Sequence, residues 1–128
     1  MWTVVDMQES DINTIPLYRG EPIDIQSVLD RIAAAAKSPW AQDNVSVTDE
    51  RLPRRTTAVA YRRVSRFPHK RLYLSTGIHG DEPAGPLAIA QIMESGIFPD
   101  FAEVWICPCL NPTGFYRNSR QNAGMHSY

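Results

Sequence analysis

A chain of 128 residues builds one modest domain rather than two. Its 43% hydrophobic content supplies a core, and a formal net charge of −1 excludes a global pull toward nucleic acid or an anionic membrane surface. No stretch approaches a membrane span, and the start MWTVVDMQESDINTIP has neither the basic residues nor the apolar run of a secretory leader, so a cytoplasmic location is expected.

The first predicted element is a helix from about Ile25 to Lys37, where Ile25, Val28, Leu29 and Ile32 recur at helical spacing. SPW ends it. NVSVTDE is a short strand candidate, and TTAVAYRRV a stronger one because it is rich in β-branched residues. KRLYLSTG is a strand running into glycine. PAGPLAIAQIMESG reads as a helix, with Pro83 and Pro86 suited to its first turn and Gly96 to its C-terminal cap. EVWICPCL is a further strand, and NPTG a turn with Pro112 second and Gly114 fourth. Strand, helix and strand in succession form a βαβ unit, which favours a parallel pair and a sheet covered on both faces. Sites in such sheets form at the carboxyl ends of strands, where both STGIHGDE and LNPTGF lie. If Leu72–Ser75 and Val104–Cys107 are parallel neighbours, the two loops meet.

Two features have plain structural readings. Arg51, Arg54, Arg55, Arg62, Arg63, Arg66, Lys70 and Arg71 crowd the middle of the chain, but no aromatic-basic motif accompanies them. They are expected to face solvent on neighbouring strands rather than to bind RNA. Cys107 and Cys109 are too close for a metal CxxC pair, and buried free thiols are expected; on a strand their side chains would point the same way.

Residues 75–85, STGIHGDEPAG, carry the chemistry. A strand, a glycine loop and a helix start could bind phosphate, but neither GxGxxG nor GxxxxGK[ST] is present, and Asp81 and Glu82 would repel an anion. The two acids suit the helix dipole instead. His79 and Glu82 offer an imidazole nitrogen and a carboxylate oxygen, both suited to zinc, and Gly77 and Gly80 let the backbone bend around them. A lone HxxE is weak; a preceding strand, flanking glycines and a following helix strengthen it.

STGIHGDEPAGPLA followed by CPCLNPTGFYRNSRQNA resembles the zinc carboxypeptidase family and its relatives, the succinylglutamate desuccinylases and aspartoacylases. The resemblance covers roughly residues 56–124. It implies a phosphorylase/hydrolase-like fold, a three-layer αβα sandwich with a mixed, largely parallel sheet, of which residues 1–128 form the N-terminal part. It implies Zn2+ held by His79 and Glu82, with Asp81 inside the motif but not a ligand, and a water activated to attack a peptide carbonyl. An arginine after NPxG steadies the oxyanion in that family; Arg120 matches it by position, with Arg117 in reserve. The substrate would be a peptide or an acylated amino acid, with no nucleic acid or membrane partner, and the oligomeric state is open.

The family pattern then breaks. The DLNR-type segment expected after the arginine is absent, RQNAGMHSY standing in its place. The third zinc ligand, a histidine, and the general-base glutamate belong further downstream. His126 does not match the ligand position and sits in a terminal tail; His69 reads as a surface residue. The expectation is the N-terminal part of a longer zinc-dependent amide hydrolase, with the activity of the isolated chain left open. The alternatives are a deacylase of the desuccinylase or aspartoacylase type, or a non-catalytic remnant that binds a ligand or partner.

Overall fold

The computed structural model describes residues 23–47, 56–66 and 68–121. Their elements are α1 (Ile25–Ala35), β1 (Trp40–Val47), β2 (Thr56–Arg63), β3 (Lys70–Ser75), α2 (Ala84–Ser95), β4 (Ala102–Cys107) and α3 (Pro112–Arg117). α1 begins where Asp24 caps it: one carboxylate oxygen accepts from the Gln26 backbone N–H at 3.0 Å, the other from the Ser27 hydroxyl at 2.8 Å. Its stripe of Ile25, Val28 and Ile32 is buried. α2 ends as expected at Gly96, which takes a left-handed φ of 67° and donates to the Ile92 and Met93 carbonyls. It buries Pro86, Ile89, Ala90 and Met93. On the outer side, two hydrogen bonds from Arg31 to Glu94, at 2.8 and 2.9 Å, tie α1 to α2.

The four strands form one sheet in the order β1-β2-β4-β3. The α/β class, the mixed sheet and the βαβ unit are as expected: β3 and β4 are parallel, pairing Leu72 with Val104, Leu74 with Ile106 and Ser75 with Cys107. The sheet is nevertheless mostly antiparallel among the described residues, because β1 pairs antiparallel with β2 and β2 with β4. β1 starts at Trp40, earlier than its β-branched residues indicate, since its register on β2 runs from Trp40↔Arg63 to Val47↔Thr56. The Trp40 ring also meets Phe98 edge-on, with centroids 5.0 Å apart.

Residue alternation along β4 divides the sheet into two faces. Ala102, Val104 and Ile106 are at most 1% exposed and form one core with Tyr61, the apolar stripes of α1 and α2, and Phe115 of α3. The three described helices thus cover this face over β2 and β4 but not over β3, whose residues are all exposed, Leu72 and Leu74 included, and these residues supply two layers of the expected three. The opposite face carries Arg62, Glu103 and Trp105. Glu103 is buried but satisfied: Arg62 Nε donates to it at 3.1 Å and Trp105 Nε1 at 3.0 Å, while the Arg62 guanidinium lies 4.8 Å over the Trp105 ring. Arg63 is likewise engaged, with Asp100 at 3.2 Å. Arg66, Lys70 and Arg71 are exposed, and Arg51, Arg54 and Arg55 lie outside the described residues.

Candidate metal centre

The parallel register of β3 on β4 brings the two glycine-bearing loops to the same end of the sheet. The pairing continues past the strands. Thr76 N–H donates to Cys107 O at 3.0 Å, Leu110 N–H to Thr76 O at 2.9 Å, and Asn111 N–H to Gly77 O at 2.9 Å. The Thr76 hydroxyl adds a 2.7 Å bond to Pro108 O. The loop carrying His79 is therefore stitched to the segment leading into α3. That segment was expected to be a simple turn; it is a short helix instead. Asn111 caps it, accepting from Gly114 N–H at 3.0 Å, and Pro112 occupies the first turn, where its missing N–H costs nothing.

Two glycines allow this closeness. Gly77 has a φ of 71°, in the left-handed region, and a Cβ there would lie 3.0 Å from Cys109 Cα and 3.1 Å from the Phe115 ring. A Cβ on Gly80 would run into the Gly114 carbonyl group and the Ser119 carbonyl oxygen. The His79 loop thus lies directly against the backbone of α3.

This packing gathers the sequence-predicted residues around one carboxylate. Glu82 Oε2 is 3.2 Å from His79 Nδ1, and Arg120 Nη1 donates to Glu82 Oε1 at 2.8 Å. His79 is mostly covered, at 16% side-chain exposure, whereas Glu82 and Arg120 are more than half exposed. Hydrogen bonding to His79, and then to Arg120, holds the Glu82 carboxyl below its ordinary range, so it stays ionised. Asp81 is exposed beside them. Arg120 reaches Glu82, while Arg117 is exposed on the last turn of α3. His69 is exposed, and His126 lies outside the described residues.

The donor chemistry suits zinc, as neutral imidazole and carboxylate are both common ligands. The number of donors is smaller than a catalytic zinc takes: no group of three or more His, Cys, Asp or Glu gathers among the described residues. His79 and Glu82 would form part of a ligand set. The cysteines contribute nothing to it. The strand ends at Cys107, which is half-buried, Pro108 turns the chain, and Cys109 enters the core; both are free thiols. Sequence reasoning missed the part played by Asn111. Its signal was present, as an Asn followed by Pro and then Gly three residues on is a helix cap as well as a turn.

No family model matches the chain, and no curated protein matches it. No described helix is long and apolar enough to cross a membrane. Solved structures do match. They include proteins described as putative metallopeptidases from Shewanella denitrificans OS217 (TM-score 0.65, 23% identity), Shewanella amazonensis SB2B (0.66, 19%) and Shewanella baltica OS155 (0.53, 19%). The matches cover 80, 81 and 77% of this chain but 38, 39 and 35% of those chains. The chain therefore spans well under half the length of the structures whose fold it shares.

Proposed function

We propose that this chain carries part of the site of a metal-dependent hydrolase of amide bonds, with zinc as the metal and His79 and Glu82 as two of its ligands. The observation that carries the reading is the Glu82 carboxylate, set between His79 at 3.2 Å and Arg120 at 2.8 Å at the carboxyl end of a parallel strand. The fold shared with proteins described as metallopeptidases supports it. When bound, zinc polarises a carbonyl and lowers the pKa of a water. Three of the chain's own residues contribute beside it. Glu82 remains anionic because two donors face it. Arg120 spends one N–H on Glu82 and retains others that can donate to an oxygen developing negative charge beside the carboxylate. The covered position of His79 limits the orientations of its ring. A peptide C-terminus or an acylated amino acid is the proposed substrate, giving a carboxypeptidase or a deacylase of the desuccinylase or aspartoacylase type.

The two-donor set among the described residues favours a second reading, a scaffold that binds a ligand without hydrolysing it. Zinc affinity measured by chelator competition tests the site, with hydrolysis of blocked dipeptides and N-acyl amino acids followed in parallel. Stoichiometric zinc that is lost in His79→Ala and Glu82→Gln supports the metal site. Zinc at background level in the wild-type protein refutes it. Zinc binding without hydrolysis selects the second reading.

A further inference from the structure

We infer that Asn111 is a positioning residue of this centre, whose side-chain amide locks the His79 loop and the Arg120 segment into one arrangement. The inference rests on the functional reading above for its consequence and on local geometry for its substance. Asn111 is 2% exposed, and its amide is fully used. Oδ1 accepts from Gly114 N–H at 3.0 Å and from the Thr113 hydroxyl at 3.3 Å. Nδ2 donates to Ile78 O at 3.1 Å and to Arg120 O at 3.4 Å. The partners fix which end is which, because a backbone N–H can only donate and a carbonyl can only accept.

The two acceptors on Nδ2 are the carbonyl immediately before His79 and the carbonyl of Arg120 itself. The two segments supplying the site's functional groups thus meet on one amide. The Asn111 backbone N–H adds a third tie, to Gly77 O at 2.9 Å. Gly114 leaves room for the arrangement, since a Cβ there would collide with Nδ2.

The halves of the amide do different work, and one substitution separates them. Asn111→Asp keeps an oxygen to cap α3, for which Asp serves as well as Asn. It replaces the donor with an oxygen facing two carbonyl oxygens, so the cap survives and the tie is lost. A purely structural cap tolerates this change; a positioning residue does not.

The test is amide hydrogen exchange on the full chain, wild type against Asn111→Asp, with zinc affinity measured beside it. The expected result is exchange at least about tenfold faster at residues 77–82 and 118–121, with β4 unchanged. Zinc affinity should fall by about 10- to 100-fold. Equal exchange in both proteins, or acceleration spread evenly over β4 and the loops, overturns the positioning role. Should the variant fail to fold, the wild-type side-chain NH2 signals decide: slow exchange of the Asn111 Nδ2 protons supports the tie, and exchange at the rate of a free amide overturns it. Background zinc in the wild type refutes the metal reading alone, while the exchange comparison still decides the role of Asn111.

Discussion

Gly80→Ala probes the contact on which the candidate centre is built. The added methyl points at the Gly114 carbonyl group and the Ser119 carbonyl oxygen, closer than non-bonded atoms can coexist. Both obstacles are backbone. Gly114 is pinned by its N–H to Asn111 Oδ1 at 3.0 Å, and its carbonyl accepts from Ser119 N–H at 2.9 Å. No side chain can rotate aside, so the His79 loop must lift from α3. Overpacking of this kind costs about 1–3 kcal/mol, and a lost hydrogen bond such as Asn111 Nδ2 to Ile78 O adds about 1 kcal/mol. With a urea dependence of about 1–3 kcal/mol per molar, the unfolding midpoint should fall by about 1 M or more. Gly96→Ala is the control. A Cβ there meets nothing within 4 Å, leaving only the strain of a φ of 67°, a cost of about 1–2 kcal/mol. Urea titrations followed by tryptophan fluorescence compare the two. A Gly80→Ala midpoint falling no further than that of Gly96→Ala refutes the claim that the loop is seated on α3.

The thiols should react in order: burial pushes Cys109 up to about 12 and raises half-buried Cys107 less completely. Alkylation of the native protein near pH 8, read by mass spectrometry, should modify Cys107 first and Cys109 only on unfolding; equal rates would contradict the core placement of Cys109. Glu103 should contribute to acid sensitivity, because the hydrogen bond from Arg62, and then that from Trp105, holds its carboxyl below the ordinary 4.5. A depressed carboxyl stabilises the fold above its unfolded value, and that contribution is lost as pH falls from about 4.5 through the folded value. Glu103→Gln should therefore lose less stability than wild type between pH 7 and pH 3 in urea titrations; parallel losses would show that the ion pair is not felt.

What the sequence revealed depended on how local each signal was. The helices announced themselves through Ile25, Val28 and Ile32 at one end and Gly96 at the other. The parallel pairing of Leu72–Ser75 with Val104–Cys107 followed from a strand–helix–strand order that leaves little choice. Elements set by distant partners were less legible. The start of β1 at Trp40 depends on Arg63 and Phe98, and the burial of Glu103 depends on Arg62, forty-one residues away. Within the site, the spacing of His79 and Glu82 pointed to a shared ligand, whereas the place of Arg120 came only through a family resemblance. Reading NPTG as a turn noticed Pro112 and Gly114 but not the asparagine that holds them.

The division of labour within the centre follows from its exposures. Glu82 and Arg120 are more than half exposed, and an ion pair in that setting is too weak to hold two loops together. The holding force lies underneath, in the backbone bonds of Thr76, Leu110 and Asn111, in the buried Asn111 amide, and in the fit of Gly80 against α3. Of the groups proposed to meet a ligand, Glu82 and Arg120 thus sit in solvent, where they can exchange partners, while His79 is mostly covered. Substitutions at Glu82 or Arg120 should leave stability nearly unchanged while altering metal or substrate binding. Substitutions at Gly80 should disturb stability and the candidate site together, because there one backbone contact seats the His79 loop on α3.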